Sequence, residues 1–320
     1  MVTRRTLLNS LLAGGIPSAG ATIQPSMIGA NTAITGWGLF ESIDLLRRIG
    51  FQTIEIHPMG TPEATPGQFP GFRFDALSNQ QKREILAALR GFRHITAHLP
   101  YTGLDYFSAD EAVAEVAART VDIALEGSAY FGARVAVLHA KPGTGHTPAS
   151  QWPTMLKRFR RWGDMARRHK MRIALETGYP TSVADFVRFV REVDHSAVGA
   201  TIDVGHQSRY TELVAKVRPE DRATPAGIRA YNYTTLAIVD GLGPKVIHFH
   251  VHDIDPATWK EHFPIGTGLV DYPRLLGKLR LIGYTGLLVL EIASPAAEMK
   301  EHLEDNKRRL EKFSRQLESQ

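Results

Sequence analysis

The chain of 320 residues contains no cysteine, which excludes disulfide scaffolds, thiolate catalysis and cysteine-ligated zinc; any metal must be held by imidazole and carboxylate groups. It also lacks an apolar run near the roughly 20 residues that a membrane-spanning helix needs. Charge of one sign is scarce, since 38 Lys and Arg stand against 33 Asp and Glu. So small a surplus, spread over helices of mixed sign, does not imply a nucleic-acid partner. No glycine-rich turn follows the first apolar strand, which counts against the runner-up architecture, an open doubly wound sheet. What is present is 43% hydrophobic and 22% charged residues, the composition of a chain with a substantial core rather than a disordered, collagenous or coiled-coil one.

At the N-terminus Arg4 and Arg5 precede a short, weakly apolar stretch that ends in Ala19-Gly20-Ala21, the layout of a twin-arginine export signal with a small-residue cleavage site. Gly14, Gly15 and Pro17 interrupt the alternative, an amphipathic helix packed on the domain. The expectation is a signal over 1–21, a single domain over 22–320, an exported, periplasmic protein, and no membrane attachment once the signal is removed.

From Ser26 onward short β-branched runs alternate with longer amphipathic stretches, which predicts parallel strands joined by crossover helices. The predicted strands are Met27–Asn31, Thr53–His57, Ile95–Leu99, Val135–His139, Arg172–Glu176, Val198–Asp203, Val246–His252 and Leu287–Ile292. Helical patterns occupy Leu39–Ile49, Ala109–Phe131, Ser150–His169, Ser182–Val193 and Tyr272–Leu281, with Asp271 as an N-cap of the last. Eight such units fit a (β/α)8 TIM barrel. Pro62–Asp75 and Tyr210–Tyr233 read as long connections that wall or cover the active face, and Phe69, Phe72, Phe74, Tyr231, Tyr233 and Trp259 as aromatic groups available to stack on a sugar ring. The basic run Lys157–Arg172 reads as an exposed helix side. Ala296–Leu317 reads as a solvated outer helix, with pairs such as Glu304 with Arg308 and Glu311 with Arg315.

The predicted strands end in ionisable groups: His98, His139, Glu176, Asp203 followed by His206, His250 followed by His252 and Asp253, and Glu291. In a barrel these ends converge, and carboxylates crowded together repel unless a cation neutralises them. Glu176, Asp203, His250 and Glu291 therefore form a candidate ligand set for one divalent metal ion, Mn²⁺ foremost, with Mg²⁺, Co²⁺ and Zn²⁺ also suited. Strand alternation puts His252 on the face of His248 and His250, while Asp253 either caps the next turn or orients a ligand.

The segments His98-Leu99-Pro100-Tyr101, Leu175-Glu176, Asp203-Val204-Gly205-His206, His250-Val251-His252-Asp253, Pro264-Ile265-Gly266-Thr267-Gly268 and Leu290-Glu291 together resemble the xylose-isomerase-like TIM barrels, in particular the sugar isomerase/epimerase branch related to endonuclease IV. The resemblance covers residues 26–317. It implies that Glu176, Asp203, His250 and Glu291 bind one divalent metal and that His206 contacts substrate. Ketose 3-epimerases of this kind carry a glutamate and an arginine where this chain has Ser182 and Pro256. The endonuclease-IV-like alternative has three zinc ions on positions matching His98, His139, Glu176, Asp203, His206, His250, His262 and Glu291, but Lys260 replaces one of its carboxylates.

The expected chemistry is proton abstraction beside a sugar carbonyl through a metal-bound enediolate. Glu176 and Glu291 move the proton, and His206, His98, His139, His252 and His262 contact substrate. A leaving group next to the acidic carbon turns the same intermediate toward a lyase or dehydratase outcome. A non-catalytic sugar-binding barrel is a further alternative, and a homo-oligomer is left open.

Overall fold

The structure is a computed structural model that describes residues 23–65 and 67–318; the expected export signal lies outside the described residues. Eight parallel strands close into a barrel in sequence order: β1 (Ile28–Asn31), β2 (Thr53–Ile56), β3 (His94–His98), β4 (Val135–His139), β5 (Arg172–Glu176), β6 (Val198–Asp203), β7 (Val246–Val251) and β8 (Leu287–Leu290). Around them run α1 (Leu39–Ile49), α2 (Asn79–Leu89), α3 (Glu111–Tyr130), α4 (Pro148–Arg168), α5 (Val183–Val193), α6 (Thr211–Val214), α7 (Pro225–Leu242), α8 (Tyr272–Leu281) and α9 (Met299–Glu318).

The period of two along each strand separates packing from chemistry. Ile54, Ile56, Ala97, Ala136, Leu138, Ile173, Leu175, Ala200, Ile202, Phe249, Val251, Leu288 and Leu290 belong to the large apolar core shared with the helices. The alternate positions carry Glu55, Thr96, His98, His139, Glu176, Thr201, Asp203, His248 and His250, all buried. Strand register sets these polar residues side by side: Glu55 pairs with Thr96, His139 with Glu176 and Asp203 with His250. Val137, Ala174 and Ile247 form a separate small apolar cluster.

Helix starts follow capping chemistry. Ser78, Asp110, Thr147, Ser182, Thr224 and Asp271 each accept a hydrogen bond from a backbone N–H of the first turn, so Asp271 caps as expected. α9 packs beside α8, α1 and β1: the Asn306 side chain accepts from the Ile265 N–H, and the Ser314 hydroxyl donates to the Ile23 carbonyl at 2.8 Å.

Three expectations need correction. The connection predicted over Tyr210–Tyr233 is largely helical, because Thr224 caps and Pro225 opens α7. The basic run is exposed as expected except at Arg158, which is buried against Glu115 at 2.5 Å; among the exposed members Arg161 pairs with Asp122 and Arg160 donates to the carbonyls of Glu192 and Val193. On α9, Glu304 meets Lys300 at 3.8 Å rather than Arg308, whereas Glu311 does meet Arg315, at 3.9 Å. Among the described residues no helix is long and apolar enough to cross a membrane.

Candidate metal centre

At the carboxyl ends of β5 to β8, Glu176, Asp203, His250 and Glu291 each bring one ligand atom within 4.8 Å of the others. Glu176, Asp203 and His250 are buried, and the Glu291 side chain is 24% exposed, leaving the cluster one open side. Nδ1 of His250 lies 2.8 Å from Glu176 Oε1 and 3.1 Å from Glu291 Oε2. Among the described residues the ion-pair partners of Glu176, Asp203 and Glu291 are histidines, with no lysine or arginine. Three carboxylates and one imidazole, without a fixed positive side chain, fit a hard divalent cation of the Mg²⁺ or Mn²⁺ type.

Burial alone would raise the carboxyl pKa of Glu176, but the imidazoles of His139 and His250 outweigh it and hold the group well below the usual carboxylate range. For Asp203 burial is again outweighed, here by His206 and His252. Both groups are therefore anionic at neutral pH. The His250 pKa would fall on burial, but the charges of Glu55, Glu291 and Glu176 drive it well above the ordinary histidine value.

Glu55 was not anticipated from the sequence. It is fully buried on β2, accepts from Thr96 Oγ1 at 3.0 Å, and lies 2.9 Å from His250 Nε2. Burial would raise its pKa, yet His250 and His248 bring it to about 2. The carboxylate accepts the Nε2–H of His250 and leaves Nδ1 directed at the ligand cluster, as a carboxylate behind a metal-binding histidine does. Glu55→Gln is expected to weaken divalent-cation affinity by roughly 10- to 100-fold. A calorimetric titration of the folded variant with Mn²⁺ checks this, and unchanged affinity would contradict the orienting role.

The other expected site residues are gathered at the same mouth in distinct positions. His139 and His98 place Nε2 at 2.9 and 3.3 Å from Glu176 Oε2. His98 stacks on His250 with 5.6 Å between centroids. His206 has Nδ1 at 2.8 Å from the Thr177 carbonyl, so that Nε2 faces the cluster side near Asp203 and Glu261. His252 is fully buried, with Nε2 at 3.1 Å from Asp203 Oδ1, which puts it behind that carboxylate. His262 contacts the Glu291 carbonyl through Nδ1 at 2.8 Å. Asp253 is a turn holder: its carboxylate accepts from the N–H groups of Ile254, Gly266 and Val270.

Glu261, also unanticipated, groups with Asp203 and His206 and accepts from Arg209 at 2.9 Å. Lys260 lies over the Phe263 ring instead, so the carboxylate expected to be missing here enters from the next residue. The approach is close: a Cβ on Gly205 would sit 2.6 Å from both Glu261 Cγ and His252 Cε1. Ser182, where ketose 3-epimerases have a glutamate, is occupied in capping α5. Of the aromatic residues considered for sugar stacking, Phe72, Tyr231 and Trp259 are buried in the core and Phe69 and Tyr233 are exposed. A cavity of about 120 Å³ beside the cluster is instead lined by Tyr101 and Tyr179, with Gly178, His139, His206, Lys141 and Arg209.

A parallel barrel whose acids and imidazoles converge at its carboxyl mouth has them where barrel enzymes carry their active sites, in groupings that could hold a metal ion. A match to the xylose isomerase-like TIM barrel family spans residues 43–312, and the chain belongs to that family. An uncharacterized protein of Methanocaldococcus jannaschii is 24% identical over 214 residues, which is 62% of this chain; the chain spans 64% of the length of that curated relative. Among solved structures, a D-tagatose 3-epimerase-like protein aligns with TM-score 0.69 at 19% identity, over 92% of this chain and 98% of its own. The E. coli 3-keto-D-glucoside 4-epimerase aligns with TM-score 0.63 at 17% identity, over 89% and 99%. A xylose isomerase-like TIM barrel protein from Mycobacterium smegmatis in complex with magnesium aligns with TM-score 0.64 at 18% identity, over 91% and 97%.

Proposed function

We propose that the protein is a divalent-cation-dependent sugar isomerase or epimerase that moves a proton on the carbon beside a carbonyl. The observation that carries this reading is the meeting of two glutamates, Glu176 and Glu291, with Asp203 and His250 within 4.8 Å at the open mouth of the barrel. The tagatose-epimerase-like and keto-glucoside epimerase neighbours support it. Glu176, Asp203, His250 and Glu291 would hold the cation, with Mn²⁺, Mg²⁺, Co²⁺ or Zn²⁺ suited to the donors; the magnesium in the mycobacterial neighbour agrees with a hard ion. When bound, such an ion supplies Lewis acidity that makes the C–H beside the sugar carbonyl acidic.

This chain's residues then do the proton work. One glutamate takes the proton from that carbon, the C–H electron pair passes into the carbonyl to give an enediolate, and the other glutamate returns a proton to the opposite face. His206, held by the Thr177 carbonyl through Nδ1, offers Nε2 to a substrate hydroxyl. His98 and His139 fix Glu176 from the other side. A substrate with a leaving group next to the enediolate would lose it, making the same site a lyase. We propose further that the chain works outside the cytoplasm, on the strength of its Arg4-Arg5 leader.

The test is solvent exchange. Incubating the Mn²⁺-loaded protein in D₂O with ketoses, keto-uronates and 3-keto-glycosides is expected to place deuterium on the carbon beside the carbonyl, read by NMR. Product formed without deuterium would reject enediolate chemistry.

A further inference from the structure

The cavity beside the cluster carries charge that the proton chemistry does not use. Tyr101, His139, Lys141, Tyr179, His206 and Arg209 line it, so its inner wall is shared with the cluster and its rim holds two cationic side chains. Arg209 is already matched: it donates to Glu261 Oε1 at 2.9 Å. Lys141, two residues beyond the end of β4, is exposed, and among the described residues no carboxylate lies within ion-pair distance of it. On the outer rim, two cations against one carboxylate leave the Lys141 charge without an ion-pair partner.

From this balance, and resting on the isomerase reading above, we propose that the substrate is an anionic keto-sugar whose carboxylate meets Lys141, with Arg209 beside it, while its carbonyl end lies at the Glu176–Glu291 cluster. A single surplus charge suits a monoanionic carboxylate rather than a phosphate dianion. A phosphate site is usually built from backbone N–H groups at a glycine-rich loop or helix start, and the N–H of Gly178, the glycine in this lining, is directed to the Tyr210 hydroxyl at 3.3 Å. A carboxylate at the rim also keeps its charge away from the buried acids, which would repel it deeper in the site.

Matched substrates separate this proposal from the reading it rests on. Fructuronate with fructose, and tagaturonate with tagatose, differ only in oxidation at the terminal carbon; fructose 6-phosphate adds a dianionic arm. With the Mn²⁺-loaded protein, kcat/KM for deuterium incorporation is expected to be about tenfold or more higher for a uronate than for its neutral partner, since a charged hydrogen bond is worth that factor. Lys141→Met should cut this ratio by about tenfold, Lys141→Arg should restore most of it, and added salt should lower it. A ratio near one, a ratio indifferent to Lys141→Met, or a preference for fructose 6-phosphate would overturn the proposal. If none of these sugars exchanges, the isomerase reading fails for them, and calorimetric binding of glucuronate against glucose to the wild type and Lys141→Met decides the anion site by itself: tighter glucuronate binding lost in the variant supports it, and equal binding overturns it.

Discussion

Glu176→Gln and Glu291→Gln are each expected to slow interconversion of the two sugar forms by about a thousandfold at saturating Mn²⁺, within the range for removal of a positioned general base. Glutamine keeps an oxygen donor of nearly the same size, so the cluster remains while proton transfer is lost. The two variants should differ in isotope behaviour. If each glutamate serves one face of the substrate, the variant that retains the glutamate facing a given sugar form still washes deuterium into that form without inverting it, and the other does not. Activity within a few fold of wild type in either variant, with cation bound, would remove that glutamate from the proton path. The double variant should be little worse than the singles, because groups that act in sequence on one intermediate are not additive.

Cation binding should expel protons. His250 lies 2.9 Å from Glu55 through Nε2 and 2.8 Å from Glu176 through Nδ1. Its pKa is well above the ordinary value, so the metal-free imidazole is doubly protonated at pH 7. A cation on Nδ1 needs the lone pair, whereas Glu176 and Asp203, both with lowered pKa, have no proton to lose. Below the raised His250 pKa the proton competes with the ion, so affinity should rise about tenfold per pH unit and at least one proton should leave per ion bound. Calorimetry in two buffers of different ionisation enthalpy counts these protons, and pH-independent affinity would contradict the assignment of His250 as ligand. The same titration gives the stoichiometry: about one ion per chain is expected, and three would favour the endonuclease-IV-like alternative, for which the His98–His139–Glu176 and Asp203–His206–Glu261 groupings offer further donors.

Much of the barrel was legible because a strand that packs on helices with one face needs alternating apolar residues. Val135–His139, Arg172–Glu176 and Val198–Asp203 read to the residue. The ends of β2, β3, β7 and β8 were overextended by one or two residues, since the ladder stops where side chains turn to the site while the apolar pattern runs on. Glu55 escaped because it sits inside Thr53-Ile54-Glu55-Ile56, where alternation makes an acid look solvent-facing. The available signal was that a central strand of a parallel barrel has no wet face, so an acid there must have a buried partner. Glu261, Lys141 and Arg209 belong to loops whose approach to the mouth is set by the tertiary fold, and nothing in their local spacing announces it. The helix inside the second long connection was not anticipated, although Thr224-Pro225, a helix-opening pair, falls in that stretch.

The division of each strand into an outer and an inner row has an evolutionary corollary. Cohesion between sheet and helices depends on residues such as Ile173, Leu175, Phe249 and Leu288, whereas the proposed reaction draws on their neighbours one position away. On the proposed function, a change of metal preference or of accepted sugar would proceed by exchanging inner-row and rim residues without loosening the shell that keeps the chain folded. Such a scaffold is free to diversify its chemistry at little cost in stability.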